Sequence, residues 1–313
     1  MATIVSDDVR LTSAQVKSRA RLRRAWGRLP AVIGTLPMSI VAIGVFVIGI
    51  AFTIVLSFTN SKLFPSFTFV GWRQYEILWS TPRWLQSVEN IWVFGIVQIV
   101  ISMVFGFLLA VAMDQRIRGE DAFRTIFLYP FALSAVITGL VWQLMLDPIW
   151  GFQAAVRSWG FPDFTFAPLA SAETALFGMI VATVWNGVGV TMAILLAGLR
   201  GVDEEIWKAA KIDGIPTWRT YLSIVLPSMR GSVATALILL TVNAVRTFDI
   251  VIAMTGGGPG ISTQMPATYV IDNINSRNVA HGMAAATCML LPIAVLVLLQ
   301  AVFRARAARR ATR

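Results

Sequence analysis

Few side chains in this 313-residue chain could do chemistry, and their types favour recognition over bond making. His281 is the sole histidine and Cys288 the sole cysteine. That excludes a histidine-based zinc site, a histidine triad and an internal disulfide. The run Gly256-Gly-Gly-Pro-Gly260 is a phosphate cradle on paper, yet the Gly-Lys-Ser/Thr of a nucleotide loop occurs nowhere in the chain. What remains is a set of polar groups embedded in apolar stretches: Gln98, Gln143, Trp185, Asn186, Asn243, Arg246, Thr247, Asp249 and Gln300. Inside a bilayer such groups are costly and face either a cavity or another helix. An amide has two donors and an acceptor, which serve a ligand or tie helices together, and the residue types leave both roles open. Arg246 and Asp249 stand at i, i+3, a spacing for a static ion pair or for a joint contact with a ligand.

A second concentration of polar residues lies between Arg200 and Arg230, where an amphipathic insert interrupts two long apolar stretches. Asp203 is an expected N-cap, with Glu204 and Glu205 in the first turn where the helix dipole favours acids. Ile206, Trp207 and Ala210 then share one side. Gly214 ends this helix and Ile215-Pro216 begins another, which carries Trp218, Tyr221, Leu222 and Val225 to Pro227. A plain surface loop needs neither an apolar stripe with an exposed tryptophan nor alanines that permit close approach. The hairpin 201–228 is therefore expected to dock on a partner outside the bilayer.

The elements that must position these groups follow from composition. The chain is 57% hydrophobic and 13% charged, with a mean hydropathy of +0.72, whereas soluble domains carry about a quarter charged residues. Spans of roughly 20 apolar residues are expected at about 32–57, 91–113, 126–146, 174–198, 232–254 and 279–303. Pro130 is placed in the opening turns of the third and Pro292 kinks the sixth. The expected class is an all-α, polytopic protein with six transmembrane helices. Twenty of its 26 basic residues lie in the N-terminal tail, the loops after the second and fourth spans and the C-terminal tail. By the positive-inside rule both termini are cytoplasmic. The net charge of +10 is thus a topology signal near lipid headgroups, not a nucleic-acid footprint. Residues 1–30 form a basic tail, in which 11–28 is either an interfacial helix or disordered, 31–303 the membrane domain and 304–313 a second basic tail. The first apolar stretch is too long for a signal peptide and lacks its cleavage site. Trp72, Tyr75, Trp79 and Trp84 suit an aromatic belt at the outer interface.

Two motifs carry a resemblance. Lys208-Ala209-Ala210-Lys211-Ile212-Asp213-Gly214, then Trp218 and Ile224-Val225-Leu226-Pro227, resembles the Glu-Ala-Ala loop of binding-protein-dependent ABC importer permeases. Phe248-Asp-Ile-Val-Ile-Ala-Met-Thr-Gly-Gly-Gly-Pro-Gly260, with Ser262-Thr263, is similar to the outer-loop signature of the maltose and glycerol-phosphate type permeases for carbohydrates. The segments Tyr129-Pro130 to Trp142, Asp147-Pro148 and Val70-Gly71 to Asn90 are also similar to that family, so the likeness covers roughly residues 35–303. It implies the type I ABC importer permease fold in a bacterial inner membrane. It implies as partners a second homologous permease, two ATPase subunits and an extracytoplasmic sugar-binding protein. ATP and Mg would be bound by the ATPase, with no cofactor on this chain, which would not itself be an enzyme. By the same resemblance Glu204, Glu205, Trp207, Lys208, Ala209, Ala210, Asp213 and Gly214 would form the ATPase-coupling surface, and Asn186, Gly187, Val190, Asn243 and Thr247 would line the sugar cavity. One position departs: the family's glutamate is Lys208 here, leaving Glu204 or Glu205, one turn earlier, to supply an acid. The alternative of another class, a proton-coupled secondary transporter, wants a relay of intramembrane carboxylates. Only Asp249 qualifies, and Arg246 stands beside it.

Overall fold

The structure, a computed structural model, describes residues 34–115 and 119–292. The tails 1–30 and 304–313, the inner-loop residues Arg116 and Arg118 and the end of the sixth expected span, with Gln300, lie outside them. The chain divides into two units at Val55–Leu56. The first contains most of α1 (Gly34–Ser57), an uncharged apolar helix of 24 residues with a π-helical stretch at Ala42–Val47.

In the second unit, α2 (Arg73–Ser80) leads to α3 (Pro82–Asp114). Extended Thr81 followed by Pro82 fixes the start of α3, because proline needs no amide partner in a first turn. At about 1.5 Å per residue its 33 residues exceed a hydrocarbon core of about 30 Å, so α3 contains the expected second span and projects beyond it.

The third span differs from expectation. Instead of one helix over 126–146 there are two, α4 (Glu120–Ala132) and α5 (Ala135–Met145), which meet at 99°. Pro130 sits in the last turn of α4 rather than at a helix opening. Without an N–H it cannot bond the preceding turn, and the helix ends two residues later. Ser134 then caps α5, its Oγ accepting from the Ile137 amide at 3.2 Å.

After the short α6 (Phe152–Ser158), α7 (Ala175–Arg200) is long and unbroken. The hairpin follows as α8 (Glu204–Ile212) and α9 (Thr217–Ser228), the latter containing a π-helical turn at Thr220–Val225. A 78° bend leads into α10 (Arg230–Val245). The expected fifth span also breaks, since α10 stops at Val245 and α11 (Asp249–Met254) starts anew. The Thr247 hydroxyl donates to the carbonyls of Asn243 and Ala244, a local competition that bends helices. Arg246 and Asp249 no longer stand on one continuous helix and form no ion pair. Two helices complete the unit, α12 (Pro266–Asn275) and α13 (Val279–Pro292). The first amides of α13, at Val279 and Ala280, donate to the carbonyls of Lys62 and Ser61.

Helix α7 is the organiser. It packs along α3 and crosses α4 and α10, while α5 packs on α11. Lipid gives apolar helices little reason to associate, so close approach through small residues must do it. A Cβ on Gly189 would lie 1.9 Å from the Phe127 carbonyl oxygen, and one on Gly106 2.7 Å from Thr191 Cγ2. Gly198 approaches Ser232, and Gly139 of α5 approaches Ala253 of α11, as closely. Two apolar cores result. One, around the N-terminal half of α7, gathers Phe94, Met179, Ile180, Val251 and Met254, and the other, around its C-terminal half, Met192, Leu195, Leu199, Tyr221 and Val225. Among the described residues, α1, α3 and α7 are single helices long and apolar enough to cross a membrane, and the two bent pairs bring such crossings to five.

Candidate functional site

The inner hairpin is built by local rules. Asp203 caps α8 by accepting the Glu205 amide at 3.0 Å, with Glu204 and Glu205 in the first turn. The C-terminus closes as a Schellman turn: Ile215 N–H donates to the Ala210 carbonyl at 3.0 Å and Gly214 N–H to Lys211 at 3.3 Å. Gly214 takes φ +67°, a left-handed conformation that L side chains resist. Pro216 then opens α9. This is why the pattern Lys211-Ile-Asp-Gly-Ile-Pro216 makes a sharp turn.

The two faces of the hairpin have different duties. Ala210 is buried, and Trp207 is half-buried against Tyr221, with ring centroids 5.0 Å apart. Tyr221 also meets Phe107 of α3 edge-on, and its hydroxyl oxygen accepts from Gln115 Nε2 at 3.2 Å. Burial, with the Asp114 charge adding to it, raises the Tyr221 phenol above its ordinary pKa, outweighing the Gln115 bond. Trp207 thus points into its own chain, and the exposed tryptophan of the hairpin is Trp218. The open face carries Glu204, Glu205, Lys208, Ala209, Asp213 and Gly214. Lys208 pairs with Glu204 one turn away at 3.4 Å, both side chains mostly in solvent, where such a pair contributes little. Three apolar side chains stand on this side without cover: Ile212 (85% exposed), Trp218 (66%) and Leu222 (52%). Trp218 and Leu222 are the apolar surface that attention to Trp207 understates.

Asn186 of α7 and Asn243 of α10 are the two amides expected at the site. Gly198 of α7 meets Ser232 of α10, and the helices run in opposite directions. Asn186 and Asn243 are 12 and 11 residues outward of that contact, each about 17 Å along its helix. Their amides are used differently. Asn186 Nδ2 donates to the Pro130 carbonyl at 2.7 Å and to Thr138 Oγ1 at 3.2 Å, one acceptor on either side of the α4–α5 bend. It adds a second donor to the Pro130 carbonyl, which already accepts the Leu133 amide at 3.2 Å, and so ties α7 to both sides of the bend. The half-buried Asn243 makes no side-chain hydrogen bond within the described residues. Gly187 and Val190 flank Asn186 on α7, and a Cβ at Gly187 would meet open space. Thr247 is buried with its hydroxyl spent on backbone carbonyls. Gln98 Oε1 and Ser102 Oγ on α3 are buried without a partner among the described residues, one turn apart.

At the outer side, Arg83 at the start of α3 pairs with Asp272 of α12 and donates to Gln264 Oε1 at 3.0 Å. Asn90 donates to the Gln264 carbonyl at 2.9 Å. The glycine loop is folded on itself, Thr263 Oγ1 donating to the Gly258 carbonyl at 2.7 Å. An apolar cavity of about 430 Å³ lies between α5, α6 and α7, lined by Trp142, Phe152, Phe166 and Phe177 among others. None of the expected sugar-cavity residues lines it, and it offers almost no polar atom to a hydroxylated ligand.

Long apolar helices, two of the crossings bent, joined by a short amphipathic hairpin define an all-helical protein with helices apolar enough to span a membrane. Residues 102–310 match the family model described as binding-protein-dependent transport system inner membrane component, and the chain belongs to that family. It is 35% identical to a probable ABC transporter permease protein of Pyrococcus horikoshii, over 86% of this chain and 94% of the relative. It is 31% identical to the sn-glycerol-3-phosphate transport system permease of Brucella suis, over 76% and 80%, and 29% identical to the trehalose/maltose transport system permease of Thermococcus litoralis, over 74% and 78%. The fold matches a chain of a bacterial ABC transporter involved in alginate import, with a TM-score of 0.72 at 19% identity, covering 94% of this chain and all of the other.

Proposed function

We propose that this chain is the membrane permease of an ATP-driven sugar importer, and that its hairpin 201–228 receives the motion of a cytoplasmic ATPase. The observation that carries the reading is the open face of the hairpin. An exposed Ile212, Trp218 and Leu222 beside a rigid Schellman turn is a surface that gains by being covered. Family membership supplies the kind of partner. In this reading the chain crosses the bacterial inner membrane six times, through α1, α3, the α4–α5 pair, α7, α10 with α11, and α13, with both termini cytoplasmic. It assembles with a second homologous permease, two ATPase subunits and an extracytoplasmic sugar-binding protein. It binds no cofactor, and ATP with Mg sits on the ATPase. Alternation between inward- and outward-open states requires a two-state element biased from outside the membrane, and the hairpin is where that bias enters.

Within the spans, Asn243 is the residue proposed to hold a sugar hydroxyl, with Gly187, Val190 and Thr247 shaping the surroundings. Asn186 neighbours Gly187 on α7, its amide nitrogen spent on the bend. That relatives carry trehalose, maltose or glycerol phosphate in their names supports a hydroxyl-rich substrate. The test is Ile212→Asp together with Trp218→Asp. Both side chains are exposed, so the chain should reach the membrane in normal amount while the purified complex loses its ATPase. Full retention of the ATPase with normal uptake would overturn the docking role.

A further inference from the structure

The end of α7 touches more than the hairpin. Arg200 is its last residue, immediately before the hairpin. Its Nη2 donates to Glu120 Oε1 at 2.7 Å and to the Met113 carbonyl at 3.4 Å, and its Nε lies 3.8 Å from Asp114 Oδ1. One guanidinium therefore joins the inner ends of α3, α4 and α7. The two carboxylates are about three-quarters buried, so this contact is shielded more than an ordinary surface pair.

What makes the contact more than a fastener is the state of α4 around it. Every residue from Asp121 to Ile126 is exposed. The first packed residue is Phe127, which meets Gly189. Among the described residues, the side-chain polar link from the first two turns of α4 to the rest of the chain is the one Glu120 makes with Arg200. By contrast, α3 is tied to the hairpin through the buried Tyr221, which meets the half-buried Phe107 and accepts from Gln115. Two links thus stand side by side, an aromatic one from the hairpin to α3 and a charged one from the end of α7 to α3 and α4.

We infer that Arg200 is a positioning residue that makes the inner end of α4, and through it the α4–α5 bend, follow the hairpin when the ATPase moves it. This rests on the proposed docking of an ATPase on the hairpin. Guanidinium geometry suits the task, because its planar fork holds Glu120, Asp114 and a backbone carbonyl at once, which a point charge does not. The neutral change Arg200→Gln removes the charged link and leaves the aromatic one intact.

The experiment uses the assembled complex with its ATPase, in a Cys288→Ala background, carrying spin labels in pairs. Ser223→Cys with Ile126→Cys reads hairpin to α4, Ser223→Cys with Leu108→Cys reads hairpin to α3, and Ser223→Cys with Ile252→Cys reads hairpin to the far end of the fifth span, Ser223 being an exposed hairpin residue outside the proposed docking face. Distances are compared between ADP and ATP with vanadate. The third pair checks the underlying reading: if it does not change with nucleotide in the otherwise unaltered complex, the hairpin is no input and the docking proposal fails, and this inference with it. Where it does change, the hairpin–α4 distance should stay constant with Arg200 present. With Arg200→Gln or Glu120→Gln it should shift by about 2 Å, the size of helix movements in such transitions, while the hairpin–α3 distance holds. The double variant should shift no further than either single one. A hairpin–α4 distance that stays constant in both variants would overturn the inference. So would shifts that add in the double variant, because the two residues would then act separately.

Discussion

Gly189→Ala gives a direct measure of how α7 is held in the bundle. The new Cβ would lie 1.9 Å from the Phe127 carbonyl oxygen, where ordinary contact begins near 3.4 Å. The obstacle is backbone, which cannot rotate aside, so α4 and α7 must part by about 1.5 Å. Overpacking of this kind costs about 1–3 kcal/mol, and a backbone obstacle places the change in the upper half of that range. A loss of about 2 kcal/mol shifts the folded-to-unfolded ratio by roughly thirtyfold. Two residues away, Gly187→Ala is the control. Its Cβ would enter open space, and alanine is about 1 kcal/mol better than glycine within a helix. Thermal retention of the purified complex should therefore fall for Gly189→Ala and hold or rise for Gly187→Ala. Equal retention in the two variants would refute the close α4–α7 approach. If Gly187→Ala is stable yet transports poorly, the open space beside it belongs to the sugar path.

The paired amides should separate cleanly. Asn186→Leu removes the two hydrogen bonds that tie α7 to both sides of the bend and should reduce the amount of assembled complex, whereas Asn243→Leu should assemble normally and lose about 1 kcal/mol of sugar interaction, read as uptake per purified complex. Unchanged normalised uptake with Asn243→Leu would remove it from the site. At the hairpin turn, Gly214→Ala should cost about 1 kcal/mol through its positive φ, with Gly214→Asn milder, seen as increased protease cutting near residue 214. Reporter fusions after Arg200 and Arg313 should register cytoplasm and one after Asp163 the outside; a cytoplasmic signal at Asp163 would end the six-span topology.

The spans and the hairpin were legible because both are signalled locally. A 33-residue apolar helix and an Asp203 cap followed by a Gly214 stop need no tertiary information. The bends were not legible for the opposite reason. Whether Pro130 opens a helix or closes one depends on what holds the two sides of the bend, and that partner, Asn186, which donates to the Pro130 carbonyl and to Thr138, lies 56 residues from Pro130. The break at 246–248 hid behind an i, i+3 ion-pair spacing that presumes the very helix that ends there. Trp207 misled because amphipathic reading assigns the apolar side of a surface helix outward or inward only once the neighbour is known, and here Tyr221 is that neighbour. Asn186 and Asn243 are indistinguishable by type and setting, and only the acceptors around each amide separate them.

The glycines of α7 divide this helix into two evolutionary territories. Gly189 and Gly198 face backbone or a close hydroxyl and admit no larger side chain, whereas Gly187 borders open space. Substrate range can then drift along one flank while the other stays frozen by contact. A mutational library aimed at new sugars would best be confined to positions 187, 190 and 243, leaving the glycines at 106, 189 and 198 untouched. On the proposed sugar path, variation at 187, 190 and 243 would change what is accepted without disturbing the packed flank of α7.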